Sequence, residues 1–320
     1  MPMLAASLPA AFLFALSPAA ASVLVFDEAA DVPKGEIVEG TFQDSAIYPG
    51  TLRQYSVYVP AQYDPQTPAA LMVFQDGHNF VREKGPFNVP GTFDRLIAEG
   101  KMPPTIAVMV DPGYSARQVQ KDLNGVPPAG RGWQATVNGK RIKPGNRSIE
   151  YDTVTDDYVR YLQTELLPVA LKGLNVSQDP ELRAICGNSS GGICSFTAAW
   201  FTAGERGGFN KVVSHIGSYT GIRGGRGTGV PGGHEYPVMI RKTDPKPIRV
   251  ALQDGSNDLS NEHGDWWLAN QQMASALKYK DYDYKTWWGE GGHNSESASD
   301  RFEERLVWVW RDWKSSFPGA

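Results

Sequence analysis

Apolar and polar positions along the 320-residue chain follow two different periods that take turns. Arg53-Gln54-Tyr55-Ser56-Val57-Tyr58-Val59-Pro60 alternates with a period of two, and Gly40-Thr41-Phe42 reads the same way, so both are expected as half-buried early strands. Leu71-Met72-Val73-Phe74 and Ile106-Ala107-Val108-Met109-Val110 are continuous apolar runs, the pattern of central strands covered on both faces. Between them, Thr92 to Gly100 has helical spacing and a terminal glycine.

The alternation resumes after residues 112–148, a polar Gly/Pro-containing stretch too long for a routine connection, read here as a loop facing the substrate. A helix is predicted over Asp152 to Leu171, a short strand at Arg183 to Cys186, a helix over Ile193 to Phe201 and a strand at Val212 to Ile216. Residues 217–237 are glycine-rich and read as loop. Ile248 to Leu252 is a predicted strand, Trp267 to Lys278 a helix, Tyr282 to Trp288 a strand and Arg301 to Trp313 a closing helix. Strands and helices that alternate without repeats or a linker predict an α/β fold with a mostly parallel central sheet flanked by helices, in one domain over residues 22–320.

Composition narrows the partners. With 31 basic and 35 acidic residues spread evenly, the formal charge is -4, and no basic patch suited to nucleic acid is visible. Residues 1–21 carry no charge, hold an apolar stretch around Leu8 to Leu16 and end in Ser17-Pro18-Ala19-Ala20-Ala21. They read as a signal peptide cleaved after Ala21, although the usual early Lys or Arg is missing, and so predict a secreted or periplasmic protein. No later segment has the roughly 18 uninterrupted apolar residues of a membrane span. Two cysteines, Cys186 and Cys194, exclude a disulfide framework and read as small buried side chains.

The strongest chemical signal is Gly187-Asn188-Ser189-Ser190-Gly191-Gly192, set between a predicted strand and a predicted helix. A serine held on a sharp strand-to-helix turn needs small residues two before and two after it, and Gly187 and Gly191 meet that demand. Ser189 is the expected nucleophile, with the Ser190 amide helping to hold an oxyanion. A hydroxyl needs a base that accepts its proton near neutral pH. His293, in Gly291-Gly292-His293-Asn294, follows the last predicted strand, whereas His78, His215, His234 and His263 come too early in the chain. A carboxylate must then orient the imidazole. Asp254 and Asp258 both follow the penultimate strand; Asp258 is preferred because it lies further past the strand end, and Asp254 is the reserve. The backbone amides of Gly77 or His78, in Gln75-Asp76-Gly77-His78-Asn79, are candidates for a second oxyanion donor. Tyr114, Trp133 and Trp266, with Tyr219 and Trp267, are aromatic candidates for a substrate site, and Arg223 and Arg226 candidates for an anionic substrate.

From about residue 38 to 313 these features resemble the esterase D or enterochelin-esterase-like branch of the α/β hydrolases, which includes feruloyl esterases. The resemblance rests on Val57-Tyr58-Val59-Pro60, Asp76-Gly77, Arg147-Ser148-Ile149-Glu150-Tyr151 ahead of Glu165-Leu166-Leu167-Pro168, the serine turn, Gly255-Ser256-Asn257-Asp258 and Gly291-Gly292-His293-Asn294. It implies an α/β-hydrolase fold and ester hydrolysis through an acyl-enzyme, without metal or organic cofactor. The expected substrate is a small-molecule or carbohydrate-linked ester of aromatic or feruloyl, acylated-sugar or siderophore-like type. An acyltransferase using the same triad, or a binding member that has lost activity, is the alternative the resemblance carries.

Overall fold

The computed structural model describes residues 32–224 and 229–317; the expected leader and Arg226 lie outside the described residues. Among the described residues the main sheet holds eight strands, β1 (Glu36–Phe42), β2 (Arg53–Val59), β3 (Ala70–Gln75), β4 (Thr105–Val110), β5 (Arg183–Asn188), β6 (Lys211–His215), β7 (Arg249–Gly255) and β8 (Tyr284–Gly289), in the order β1-β2-β4-β3-β5-β6-β7-β8. β1 pairs antiparallel with β2, and β2 antiparallel with β4; every pairing from β4 to β8 is parallel. This is the α/β-hydrolase fold.

Side-chain period explains the two cores. Along β3, Leu71 and Val73 enter one cluster while Ala70, Met72 and Phe74 enter the other, and β4 divides in the same way between Ile106, Val108 and Val110 and the intervening Ala107 and Met109. All six residues of each strand are buried, as continuous apolar runs predict. One face is covered by α1 (Val89–Ala98) and the closing helix Phe302–Val309, the other by α2 (Ser190–Thr202) and α3 (Trp266–Tyr279).

Several boundaries differ from expectation for identifiable reasons. α1 starts three residues before Thr92, where the Asn88 side chain accepts from the Gly91 amide and Pro90 occupies the first turn. The helix expected from Asp152 begins at Asp157 and proceeds through a π segment, Leu162–Leu166, into Leu167–Ala170. Pro168 accounts for that segment, because it has no N–H for the carbonyl four residues back and its ring crowds that carbonyl. Within the stretch 112–148 the chain builds short helical turns and a two-stranded ladder, Thr136–Val137 with Lys140–Arg141, over a small core of its own. Tyr114 belongs to that core with Leu52, Leu123 and Ala135 and is 1% exposed. It is packing, not a ring offered to substrate. Cys186 and Cys194 are buried free thiols.

Parallel register brings the chemistry to one edge. Asn188 pairs with His215, His215 with Gln253, and Gly255 with Gly289. The C-terminal ends of β5, β6, β7 and β8 therefore stand side by side, and the loops leaving them can meet above the sheet, where open α/β sheets place ligands.

Candidate active site

Ser189 follows the last residue of β5 and precedes α2 with φ 58° and ψ -122°, a backbone conformation that a non-glycine residue adopts only when its surroundings impose it. Its amide donates to the His215 carbonyl at 2.9 Å, which ties the turn to β6. The approach of strand and helix is close: a Cβ added at Gly187 would lie 2.4 Å from the Gly191 carbonyl carbon, so no larger residue fits. Ser189 stays partly exposed while Ser190 is buried at the first position of α2.

The loops after β7 and β8 then build a chain of contacts to the hydroxyl. His293, four residues past β8, places Nε2 2.7 Å from Ser189 Oγ, and its Nδ1 is 2.6 Å from Asp258 Oδ1. The Asp258 side chain is fully buried and the His293 side chain 18% exposed. A carboxylate on Nδ1 fixes the tautomer that leaves Nε2 free to accept a serine proton. Asp254, the reserve, makes no hydrogen bond to His293 among the described residues. Its oxygens accept from the Gly255 amide and from Asn270 Nδ2, both at 2.8 Å.

The two carboxyl groups are set apart electrostatically. Burial, then the hydrogen bond and charge of Asp258, push the Asp254 carboxyl up to about 9. Burial also acts upward on Asp258, but the hydrogen bonds from His293 and Asp254 outweigh it and hold Asp258 below its ordinary value. Asp254 is thus the neutral acid and Asp258 the carboxylate. Asp258 Oδ2 is buried, and a hydrogen bond joins the two carboxyls.

The remaining histidines are placed elsewhere. His215 is buried, its Nδ1 2.9 Å from Asn188 Oδ1, and burial followed by the charge of Arg305 holds its ring well below the ordinary histidine value. His78 has Nδ1 2.8 Å from Asp111 Oδ1, and its backbone amide donates to the same oxygen at 2.8 Å. That amide is engaged, which removes His78 as an oxyanion donor and leaves Gly77 of the two loop candidates.

Among the aromatic candidates, Trp266 is in the site but 2% exposed. Its ring stands edge-on to His293 with centroids 5.8 Å apart, and its indole N–H donates to Ser218 Oγ at 2.9 Å. Trp133 is half-buried and edge-on to His78, and both border a cavity of about 230 Å³ with Asn79, Val81, Arg82 and Arg131. Tyr219 is buried and donates to Ser214, and Trp267 packs on Trp288. Arg223 is exposed on the loop beyond Ser218, with no hydrogen bond to the site among the described residues.

Ser218 was not singled out in the sequence, where it falls in a glycine-rich loop. Its Oγ lies 3.1 Å from Ser189 Oγ. The signal that could have found it is positional: the loop after β6 leaves the sheet edge next to the serine turn.

A family model described as "Putative esterase" matches residues 48–315. The chain belongs to this esterase family. That membership agrees with the family resemblance drawn from its motifs. No curated protein matches. Among solved structures, the enterobactin esterase from Shigella flexneri is similar at 18% identity and TM-score 0.61, over 88% of this esterase and 62% of that chain. A ferulic acid esterase is similar at 16% identity and TM-score 0.59, over 87% of this esterase and 99% of that chain. A ferulic acid esterase from Anaeromyces mucronatus, solved with ferulic acid, matches at 14% identity and TM-score 0.54, over 88% and 92% respectively. At these identities the likeness is one of fold. No helix among the described residues is long and apolar enough to cross a membrane.

Proposed function

We propose that this esterase hydrolyses its substrate through an acyl-enzyme on Ser189, with His293 as the base and Asp258 as the residue that orients it. The supporting observation is the continuous line of contacts from Asp258 Oδ1 through His293 to Ser189 Oγ, at 2.6 and 2.7 Å. In the first half-reaction the Ser189 proton passes to His293 Nε2 as Oγ bonds to the ester carbon. The carbonyl oxygen gains the negative charge, for which the amides of Ser190 and Gly77 are the proposed donors. His293 then gives its proton to the leaving alcohol. In the second half-reaction water takes the place of the alcohol, and the acid is released.

The proposed substrate is an ester with an aromatic, feruloyl-type acyl group, or a related acylated sugar or siderophore-like ester. Support comes from the printed activities of the structurally similar enzymes and from the half-buried Trp133 beside a small cavity. The charge-free, apolar leader, residues 1–21, supports export.

The test is turnover of feruloyl, acetyl-sugar, catecholate and p-nitrophenyl esters by the purified enzyme, with Ser189→Ala as control. The substitution should lower kcat by about four orders of magnitude without unfolding the protein. Unchanged turnover by the alanine protein would remove Ser189 from the mechanism. Product formed only when an alcohol or sugar acceptor is added would instead make the enzyme an acyltransferase.

A further inference from the structure

Among the described residues the hydroxyl of Ser189 has two hydrogen-bonding neighbours, His293 Nε2 at 2.7 Å and Ser218 Oγ at 3.1 Å. Chemistry fixes which way each proton points. An indole N–H can only donate, so Trp266 Nε1–H donates a hydrogen bond to Ser218 Oγ at 2.9 Å. At the other end the Asp258 carboxylate accepts a hydrogen bond from the His293 Nδ1–H, which makes Nε2 the acceptor for the Ser189 proton. The proton between the two serine oxygens is therefore that of Ser218. Donation runs in one direction, from Trp266 to Ser218, to Ser189, to His293.

The backbone is bent to keep Ser218 there. Ile216, a buried β-branched residue, has φ 42°, a left-handed conformation that such a side chain rarely adopts. Its amide donates to the Gln253 carbonyl at 2.7 Å, and two residues on, the Ser218 amide donates to the Ser189 carbonyl at 3.1 Å. Ser218 is 1% exposed, so water does not compete for its hydroxyl. Strain of this kind persists where surrounding contacts over-determine it, and it clusters at working sites.

We propose that Ser218 is a further catalytic residue, whose hydroxyl donates to Ser189 Oγ and stabilises negative charge there whenever the bond between Oγ and the acyl carbon is forming or breaking. The proposal rests on Ser189 being the nucleophile. In acylation the Ser189 proton moves to His293 while the Oγ–C bond forms, and Ser218 keeps its own proton throughout. In deacylation a water proton moves to His293 as the water oxygen bonds to the acyl carbon. The C–Oγ bond then breaks with its electron pair going to Oγ, where the Ser218 hydroxyl holds the charge until His293 returns a proton. A hydrogen bond to a group that becomes charged strengthens as the charge develops, which is the condition for lowering a barrier.

The test compares Ser218→Ala, Trp266→Phe and the double variant with the parent enzyme. Two rates are read, turnover of an aryl ester and covalent labelling by a fluorophosphonate, with the labelled residue identified by mass spectrometry. Ser218→Ala should slow both by about 10- to 100-fold, the range for one hydrogen bond to a charged group, while the label stays on Ser189. Trp266→Phe keeps the ring against His293 but removes the donor that orients Ser218, and should slow both rates by a smaller factor of about 2 to 10. In the Ser218→Ala background it should cost no more, because nothing is left to orient.

A Ser218→Ala enzyme that labels and turns over within about twofold of the parent overturns the proposal. So does a Trp266→Phe loss that multiplies in full with that of Ser218→Ala. Ser218→Cys, which fills the site with a weaker donor, keeps the question open to measurement if the alanine protein does not fold: a rate within twofold of the parent counts against Ser218, a loss of tenfold or more for it. Absence of label on Ser189 in the parent would instead overturn the nucleophile assignment beneath the proposal.

Discussion

Replacing Asp254 with asparagine isolates the effect of one buried proton. Asp254 is fully buried under Asp258, and its carboxyl, ordinarily near 3.8, is raised to about 9 by burial and by its neighbour. Between those values the folded protein holds a proton that the unfolded chain has released. Asp254 is least costly below the unfolded value, and its contribution is lost as pH rises toward the folded one. The loss is about 1.4 kcal/mol per pH unit, or about 4 kcal/mol between pH 5 and 8. Asparagine cannot titrate, so Asp254→Asn removes this slope while keeping an oxygen for the Gly255 amide and an N–H for Asp258. Its amide also faces the Asn270 donor, which now sits 2.8 Å from Asp254 Oδ2. That contact shifts the variant's stability by an offset but gives it no pH dependence. The stability of Asp254→Asn minus that of the parent should therefore climb by about 4 kcal/mol from pH 5 to 8, whatever its starting sign. Urea unfolding at half-unit pH intervals, with m compared between the two proteins, measures it. A flat difference across that window would show Asp254 ionised at neutral pH, and the donor beneath Asp258 would be lost from the mechanism.

Two other substitutions probe the support of the site. Gly132 has φ 53°, and a Cβ there would fall 2.1 Å from His78 Nδ1, so Gly132→Ala must displace the ring and strain the backbone together. It should lower stability by about 1–3 kcal/mol and, by shifting the Gly77–His78 turn, lower kcat by about 10- to 100-fold, read from thermal unfolding and aryl-ester turnover. Glu150 is buried and accepts from Arg53, Asn146 and the Gly113 amide. Glu150→Ala strands the fully buried Arg53 guanidinium and should cost about 3–5 kcal/mol in urea unfolding, with kcat of the remaining folded protein near that of the parent.

What was legible in the sequence is what local chemistry dictates. Continuous apolar runs placed β3 and β4, the small residues around Ser189 placed the turn, and chain order placed His293 after the last strand. The first two need only neighbours in sequence, and the third only the order in which triad residues follow the strands. Tyr114 was misread because a polar 37-residue stretch gave no sign that it would close over a core of its own, completed by Leu52 from before β2. His78 was misread because its amide partner, Asp111, follows β4, a strand that reaches its place only through sheet order. The same nonlocality hid Ser218, and hid that Asp254 bonds to Asn270 rather than to His293. Ser218 meets Ser189 because β6 lies beside β5, and Asp254 meets Asn270 because α3 packs back over β7. Asn270 Nδ2 also reaches the carbonyls of Gly217, the residue before Ser218, and of Trp266, whose indole donates to the Ser218 hydroxyl. The carboxyl pair and the serine pair thus share one support. A change at Asn270 should disturb both the Asp254 carboxyl under Asp258 and the hydroxyl beside Ser189, although among the described residues Asn270 hydrogen-bonds to neither His293 nor Ser189.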